Sequence, residues 1–447
     1  MSFDKLKEAA KRAAEELGIS EYELYYTSTE DTSVEVFKKE VSSFSSVLTG
    51  GISVRVKSDG KMGYASSELL SEDEIARLVF LAAENAKATE KEDTVGIFSG
   101  SESYPDAGRE SFSLASAEKI KDIALRLSDE CYKQDPRVTD GTMSAFSTMK
   151  KTVRLSNSSG LDLKCEYGVD AVMAQTVIAD GAQRESAFAV KRFSDGVTLQ
   201  EIAERVTTEA ISKIGASLVP TGKYNVVISS KQMKALLSAF SSAFSAKAAQ
   251  AGLSLLADKV GERVASEKIT LTDDPMREEI GARIIFDAEG VATKRKTVID
   301  RGILKTLLHN RETAKRAGVE TTANASKASH SSPIGIKPYA FAIEAGERTL
   351  DELFELAGDG VYITELKGLH AGADAVTGDF SIESAGYLIE NGKLGGAVRS
   401  FTVAGNFFDL LKNVQEISNE IAFDVTGGFT SFGSPDVLLK NMSIAGK

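Results

Sequence analysis

The sequence predicts an α+β protein with mixed, largely antiparallel sheets, flanking helices and two to three domains. Its 447 residues exceed what one hydrophobic core usually holds, so more than one domain is expected. Runs with a two-residue apolar alternation stand apart from runs with helical spacing, without the regular strand-helix-strand order of parallel folds. Because 42% of the residues are apolar, each domain has enough material for its own core.

The first unit is predicted at residues 1–90. Apolar residues at helical spacing indicate a helix from Ser2 to Leu17, and Gly18 supplies its end. The period then changes to two, which predicts strands at 24–29, 34–39 and 52–56 and a fourth around 62–64. Ser71 and Glu74 have the spacing of a capping box before a second helix. One helix-flanked sheet is therefore expected here.

The second unit is predicted at residues 91–218. Residues 90–112 are polar and contain several glycines, so we place a boundary or a long surface loop there. A helix at 120–132 is followed by strand-like runs up to residue 178. Thr198 and Glu201 have capping-box spacing for a helix that ends near Gly215. The pattern is again an antiparallel sheet with helices.

The third unit, residues 219–447, is predicted to contain one long amphipathic helix over residues 231–259. Its apolar face repeats at helical spacing for about eight turns, and Ser229 or Ser230 lies where an N-cap belongs. The exposed face carries serines and alanines rather than ionisable groups. Further along, the serine-rich residues 320–337 lack periodicity and are predicted to form a flexible loop. The dipeptide Asn391-Gly392 predicts a tight hairpin turn.

Five sequence words follow one another along the third unit. They are Leu236–Ala243, Leu271–Pro275, Phe286–Gly290, Val376–Ser381 and Gly386–Lys393. Taken in this order they resemble the TldD/PmbA family, once described as modulators of DNA gyrase and now regarded as peptidases. The resemblance runs from about residue 20 to the C-terminus.

The resemblance implies one of two branches of that family. In the TldD branch the long helix carries a His-Glu-x-x-x-His motif, in which both histidines bind zinc and the glutamate serves as general base. The corresponding positions here are Ser238, Ala239 and Ala243, so imidazoles and carboxylate are both missing. The chain is therefore similar to the other branch, TldE or PmbA, whose members pair with TldD.

The function implied by the resemblance is that of a non-catalytic subunit. The working enzyme would be a cytoplasmic TldD/TldE-type zinc metalloprotease that processes or degrades peptides and unfolded proteins. We expect no catalytic residue and no cofactor in this chain, zinc in the partner subunit, and a homodimer as a possible state of the chain alone. The alternative is a regulatory binding protein that modulates DNA gyrase without proteolysis.

The resemblance also singles out a segment of the C-terminal sheet. In this family that sheet helps to enclose a cleft for an extended peptide, so main-chain groups at Thr377, Gly378, Asp379 and Phe380 are candidates for pairing with substrate. By their residue types alone, the same four positions are typical of a plain turn before a strand.

Other kinds of catalytic site have weaker signals. His309, His330 and His370 lie in different segments, and none has a second His or Cys at metal-ligand spacing. The serines lack a Gly-x-Ser-x-Gly nucleophile elbow. Asp273, Asp274 and Asp379 could bind a divalent cation, although acidic residues at turns more often cap backbone amides.

The composition excludes several classes of protein. A formal net charge of −12 opposes direct nucleic acid binding, because phosphate contacts need clustered Lys and Arg. No run of eighteen apolar residues occurs, and the N-terminus lacks a signal-peptide core, so we expect no membrane segment. Cys131 and Cys165 are too few for a disulfide framework and are predicted as core residues in a reducing compartment. We therefore expect a cytoplasmic protein.

Overall fold

The computed structural model describes residues 2–107, 112–425 and 430–447. The N-terminal part is built on one antiparallel sheet of six strands, which are β1 (Glu21–Phe37), β2 (Glu40–Ser58), β3 (Lys61–Ser67), β4 (Met143–Asn157), β5 (Asp162–Asp180) and β6 (Gln183–Arg192). Their order in the sheet is β3-β2-β1-β4-β5-β6. The strands predicted at 24–29 and 34–39 are thus parts of one long strand, which ends before a hairpin turn at Lys38 and Lys39 with positive φ.

Four helices cover one face of this sheet. They are α1 (Phe3–Glu16), α2 (Glu72–Ala88), α3 (Ala117–Gln134) and α4 (Leu199–Ser212). The predicted signals at their ends are present: Gly18 follows α1 with a φ of 66°, Ser71 accepts a hydrogen bond from the Glu74 backbone, and Thr198 with Glu201 forms a reciprocal capping box. Because β1 pairs with β4 along its length, residues on both sides of the predicted boundary at residue 90 share one sheet.

The C-terminal part contains a mixed sheet of seven strands, which are β7 (Ser217–Leu218), β8 (Gly222–Ile228), β15 (Gly360–Lys367), β16 (Asp379–Glu390), β17 (Lys393–Asn406), β18 (Val414–Ile417) and β21 (Val437–Ala445). Their order is β18-β21-β8-β15-β16-β17-β7. Since β17 also pairs with β21, five of these strands close into a ring. Asn391 and Gly392 join β16 to β17 with positive φ, as the sequence predicts.

A second mixed sheet lies beside this ring, together with a two-stranded ribbon. The strands are β9 (Leu271–Asp273), β10 (Lys296–Asp300), β11 (Ile303–Leu304), β14 (Ala340–Ile343), β19 (Ala422–Phe423) and β20 (Ser431–Ser434), with β12 (Ala325–Ser326) and β13 (Gly335–Ile336) as the ribbon. The order in the sheet is β11-β10-β9-β14-β20-β19. The helices are α5 (Ser230–Phe240), α6 (Ala246–Gln250), α7 (Arg311–Ala317), α8 (Leu350–Ala357), α9 (Leu369–Gly372) and α10 (Phe407–Lys412). The predicted α+β class is confirmed.

The predicted single helix over residues 231–259 is wrong. The α-helix α5 ends at Phe240, a short 3₁₀ helix spans Ser241–Phe244, and Ser245 is extended before α6 begins. The chain leaves the helix because it pairs with a distant segment: the Leu308 amide donates to the Phe244 carbonyl and the Ala246 amide to the Leu308 carbonyl, at 2.8 and 2.9 Å. Gly252, with a φ of 71°, then follows α6 in a turn.

The serine-rich segment 320–337 is not the flexible loop that its composition suggests. It contains the ribbon of β12 and β13, and several of its side chains are buried. Asn324 donates one hydrogen bond to Asp273 at 2.7 Å and another to the Lys337 carbonyl at 2.9 Å. Within the described residues no helix is long and apolar enough to cross a lipid bilayer.

Candidate functional site

The helix α5 is held in place by polar contacts around its first turn. The Ser229 side chain accepts a hydrogen bond from the Gln232 amide, and the Ser230 amide donates to the Asp436 carboxylate at 3.0 Å. The Gln232 side chain bonds the Thr364 carbonyl at 2.6 Å and the Leu366 amide at 3.2 Å. The orientation of α5 is therefore fixed against β15 by polar contacts and not only by its apolar face.

The three motif positions on this segment have different environments. Ser238 is exposed, Ala239 is half-buried against the core, and Ala243 is fully buried. Five residues of α-helix turn a side chain by about 140° from the starting direction, and the 3₁₀ turn after Phe240 alters this angle further. Ser238 and Ala243 consequently point to different surroundings, one to solvent and the other into the core.

The residues at these positions do not fit a zinc ion. Zinc sites in proteins use imidazole, thiolate or carboxylate ligands, and here a hydroxymethyl group and two methyl groups stand instead. The backbone at both ends is used in local structure: the Ser238 carbonyl accepts from the Ser241 hydroxyl at 2.8 Å, and the Ala243 carbonyl from the Ser254 hydroxyl at 2.6 Å. These two hydrogen bonds thus stabilise the backbone where the α-helix ends after Phe240.

An aromatic cluster connects α5 with the second predicted site. The Phe240 ring stacks on Phe407 with centroids 4.6 Å apart, and its centroid lies 6.4 Å from that of Phe380. All three side chains are buried. The structure therefore brings the motif segment and the segment 377–380 to the same apolar core.

Residues 377–380 form a turn whose main-chain groups are used within the chain. The Gly378 amide donates to the Asp374 carbonyl at 2.8 Å, and its carbonyl accepts from the Phe407 amide at 2.8 Å. The Asn406 side chain donates to the Thr377 carbonyl at 2.8 Å and to the Asp379 carboxylate at 2.9 Å. Phe380 begins the buried alternation of β16. A role of this turn in peptide pairing stays a prediction.

The other predicted candidates lie apart from α5 or are used in the fold. His309 is buried before α7, where burial lowers its pKa, His330 lies between β12 and β13, and His370 is exposed in α9. Among the described residues no three His, Cys, Asp or Glu side chains are grouped as metal ligands would be. Cys131 and Cys165 are buried as predicted, and burial raises the pKa of each thiol to about 11. Both thiols are therefore protonated at neutral pH.

Asp273 has the backbone-capping role that acidic residues at turns often have. Its fully buried carboxylate accepts from the amides of Tyr339 and Ala340 at 2.7 and 3.0 Å. Lys296 neutralises it at 3.0 Å. The carboxylate is thus occupied by two backbone amides, the Asn324 side-chain amide and an ammonium group, and it joins β9 to β14.

Sequence reasoning missed a group of buried charges between the N-terminal sheet and the C-terminal part. This interface cluster consists of five side chains: Glu23, Arg55, Asp287, Glu289 and Lys327. Glu23 and Arg55 are directly opposite each other on β1 and β2, with Arg55 nitrogens 2.7 and 2.8 Å from Glu23 Oε1. The two-residue alternation of the strands could have indicated their burial. Glu23 lies on the same face of β1 as Tyr25, and Arg55 on the same face of β2 as Ser53, and this face is buried as well as the one that contacts the helices.

The remaining three members of the interface cluster come from the C-terminal part. Lys327 donates to the Ser53 hydroxyl at 2.7 Å, with its Nζ 4.7 Å from the centroid of the Tyr25 ring. Asp287 accepts from the amides of Glu289, Val291 and Ala325. Glu289 accepts from the Arg311 amide at 2.8 Å. The cluster therefore ties strands β1 and β2 to the segments around residues 289 and 327.

Burial controls the protonation of the interface cluster. It lowers the pKa of Lys327 to about 7, with a further contribution from the positive charge of Arg55. It raises the pKa of Asp287 to about 8, with the nearby Glu289 charge adding to the effect and three backbone amides opposing it. Perturbed groups of this kind occur at active sites and also in structural ion-pair networks. Here their partners are backbone amides and one another, which favours the structural role.

Comparison with known proteins assigns the chain to a family. Residues 221–446 match the model of the PmbA/TldA metallopeptidase C-terminal domain, and residues 22–86 match that of the PmbA/TldA metallopeptidase domain 1. The chain belongs to the PmbA/TldD family. The resemblance drawn from the five sequence words is thereby confirmed.

Members of the PmbA/TldD family match this chain over nearly its whole length. The metalloprotease PmbA of Escherichia coli O157:H7 is 26% identical over 432 residues, which are 95% of this chain and 92% of that protein. A solved structure from Thermotoga maritima MSB8, named as a candidate modulator of a DNA gyrase, has a TM-score of 0.89 at 27% identity and covers 99% of this chain and 100% of its own. TldE from Thermococcus kodakarensis has a TM-score of 0.87 at 23% identity with the same coverage, which shows a shared fold.

Proposed function

We propose that this PmbA/TldD-family chain is the subunit of a two-chain metallopeptidase that does not itself hold the catalytic metal. A TldD-like partner would supply the zinc ion, its two imidazole ligands and the carboxylate that serves as general base. This chain would supply half of the subunit interface and part of the wall around the substrate peptide. The substrates would be peptides and unfolded proteins, and the complex would work in the cytoplasm, where two buried free thiols persist.

The observation that supports this proposal is the chemistry of the motif positions. At Ser238, Ala239 and Ala243 the family framework is intact, yet the side chains can neither bind zinc nor accept a proton from water at neutral pH. Ala243 is packed in the core, so the helix end has become part of the apolar interior. The names of the relatives, metalloprotease PmbA and TldE, agree with a place in a peptidase assembly.

The contribution of this chain to catalysis would be positional. A rigid wall that orders an extended peptide lowers the entropy cost of bringing the scissile bond to the partner's reactive group. In α5 and the segment 377–380, polar anchors and the Phe240 aromatic cluster supply that rigidity. The chain would therefore raise the rate of a reaction whose bond-breaking groups lie in the other subunit.

The experiment that tests the proposal is reconstitution of peptide cleavage. This chain, a TldD-like chain and their equimolar mixture are each incubated with an unstructured peptide, and cleavage is followed by mass spectrometry. We expect cleavage only when the TldD-like chain is present, and faster cleavage in the mixture. A mixture in which the partner's motif glutamate is replaced by glutamine should be inactive.

Two results would contradict the proposal. Cleavage by this chain alone, abolished by a chelator, would show that it has its own metal site. Absence of both a complex and a gain in cleavage would favour the alternative, a regulatory protein that acts on DNA gyrase, as the name of the Thermotoga maritima structure suggests.

A further inference from the structure

A cavity of about 230 Å³ lies where the N-terminal sheet meets the seven-stranded sheet of the C-terminal part. Its walls come from β6, from the segment after α4, and from β15, β16 and β17. The motif positions and the segment 377–380 do not line it. Ligand sites are common at junctions between parts of a chain, and those for drug-sized molecules have about 300–1,000 Å³. A ligand of this cavity is therefore expected to be small.

Three neighbouring strands are irregular where they line the cavity. β15 has an extra residue at Thr364, and β17 has two residues, Arg399 and Ser400, opposite Ala385 of β16. Ser400 has a φ of 56°, a backbone conformation that is strained for a residue with a side chain. Such bulges redirect side chains and occur often beside functional sites. All four residues belong to the cavity wall.

The cavity wall carries charges of both signs. The ammonium group of Lys213 is in close contact with the Glu365 carboxylate, so these two groups neutralise each other. Arg399 and Glu185 form a looser pair: Nη1 of the arginine lies 3.7 Å from Oε1 of the glutamate, which is too far for a hydrogen bond. Within the described residues neither side chain has a hydrogen-bond partner. A guanidinium group and a carboxylate are therefore available to a ligand.

The spacing of this loose pair defines the chemistry of the ligand. A guanidinium group binds a carboxylate through two parallel hydrogen bonds, and a carboxylate binds an ammonium group. Because Arg399 and Glu185 lie only 3.7 Å apart, the two charges of the ligand have to be neighbours, as they are on the α-carbon of an amino acid. Nearby wall residues are small or aliphatic, namely Ala216, Ala397 and Val398. They leave room for an aliphatic side chain.

We propose that this cavity binds a free aliphatic α-amino acid, with its carboxylate on Arg399 and its ammonium group on Glu185. Glu185 lies on β6 and Arg399 on β17, so the bound amino acid joins the two parts of the chain. The site goes beyond the proposed peptidase function and does not rest on it. Absence of amino acid binding would leave the reconstitution experiment unaffected, and failure of the reconstitution would leave this cavity as it is.

Calorimetric titration of the full-length chain with leucine at neutral pH tests the proposal. We expect saturable binding of one leucine per chain. N-acetyl-leucine lacks the ammonium group and leucine amide lacks the carboxylate, so each should bind at least about tenfold more weakly. Alanyl-leucine, in which the two charges are further apart, should also bind more weakly. Inorganic phosphate tests whether the cavity merely attracts anions, and we expect it to bind more weakly than leucine.

Two variants test whether leucine binds in this cavity. Arg399→Gln removes the guanidinium group and should weaken binding about tenfold or more. Ala397→Leu fills the cavity without a change in charge and should abolish binding. The matched control is Arg126→Gln, which replaces an exposed arginine of α3 that lies 3.4 Å from Asp122, and it should bind leucine like the native chain. Far-UV circular dichroism checks that each variant keeps the fold.

Several results would overturn the proposed amino acid site. One is that leucine does not bind to the native chain. Another is that phosphate, alanyl-leucine or either blocked leucine binds as tightly as leucine itself. The third is that a folded Arg399→Gln or Ala397→Leu variant keeps the native affinity.

Discussion

Two regions of the molecule contrast in what they bury. The α5 segment holds the positions at which the family resemblance expects a metal site, and it buries methyl groups and phenyl rings. The interface cluster, of which Asp287 and Glu289 lie in the sequence word Phe286–Gly290, buries two basic and three acidic side chains between the two parts of the chain. Several of the buried ionisable groups of this chain therefore lie where they connect elements of the fold.

The contrast teaches that shifted pKa values alone do not locate an active site. Each charged group of the interface cluster contacts another part of the fold: Arg55 contacts Glu23, Lys327 contacts Ser53, and Asp287 contacts three amides. At α5, by contrast, the positions of the family's metal motif carry side chains that cannot bind a metal ion. The proposed function of the chain therefore rests on the absence of zinc-ligand side chains at α5. The charged groups of the interface cluster are instead expected to contribute to the stability of the fold.

The largest effect is expected from breaking the buried ion pair. Arg55→Ala leaves the buried Glu23 carboxylate without its counter-ion and should lower the free energy of unfolding by about 3–5 kcal/mol. Equilibrium denaturation in urea measures this loss. The double variant Glu23→Leu with Arg55→Met should recover most of it, since no unpaired charge remains.

An exposed ion pair provides the control for that experiment. Arg12 and Glu72 lie 2.6 Å apart on the surface, and Arg12→Ala should change stability little. Equal losses from Arg12→Ala and Arg55→Ala would show that the buried pair of Glu23 and Arg55 contributes no more to stability than an exposed ion pair.

The next prediction tests whether position 243, after α5, is part of the packed core. Ala243→His places an imidazole in a fully packed position and should destabilise the protein by about 1–3 kcal/mol. Ser238→His, on the exposed side of the same segment, should change stability by less than about 0.5 kcal/mol. Denaturation midpoints of the two variants, measured side by side, check this. A fully stable Ala243→His would mean that this position is open enough for a ligand.

Lys327 should make stability depend on pH. The unfolded chain keeps this lysine protonated up to about pH 10.5, whereas the folded chain releases the proton near pH 7. The unfolded state thus binds more protons between these values, so stability of the native protein rises with pH across this window. Lys327→Met lacks this dependence, and below pH 7 it should be more stable than the native protein by up to about 4–5 kcal/mol, since each unit between the two pKa values is worth about 1.4 kcal/mol.

The comparison of Lys327→Met with the native protein is made by denaturation at several pH values from about 6 to about 10. The difference in unfolding free energy should shrink steadily as the pH rises. A difference that is constant over this range would show that the lysine is charged in the folded state, held so by Glu23.

The smallest effect concerns the turn at 377–380. Gly378 has a φ of 80°, and a Cβ atom there would lie 2.8 Å from the Asn406 amide nitrogen. Gly378→Ala should therefore cost about 1–2 kcal/mol, while Gly396→Ala, where a Cβ meets nothing within 4 Å, should cost less. Thermal unfolding of both variants checks this. Equal melting temperatures would mean that the turn is loose.

The sequence predicted what depends on local pattern. The α+β class, the caps at Ser71 and Thr198 and the hairpin turn at Asn391 follow from periodicity and turn chemistry, and the structure has them. The five words sufficed for the family. The boundaries of the three predicted units stay predictions. The N-terminal sheet contains strands from both sides of the first boundary, at residue 90.

The remaining features depend on contacts between distant residues. The helix break after Phe240 is set by Leu308, which pairs with Phe244 and Ala246 and leaves no signal in the local apolar spacing. The burial of Lys327 depends on Ser53, which precedes it by 274 residues. Strand register, which single-sequence periodicity does not define, was needed to see that Glu23 faces Arg55.

Metal analysis of the purified chain tests the central claim most directly. The chain, expressed alone and with a TldD-like chain, is dialysed without chelator, and zinc is counted per polypeptide by mass spectrometry. The account predicts that the isolated chain retains essentially no zinc, and that the complex retains one ion, lost when the partner's motif histidines are replaced. One tightly held zinc ion per isolated chain would contradict it.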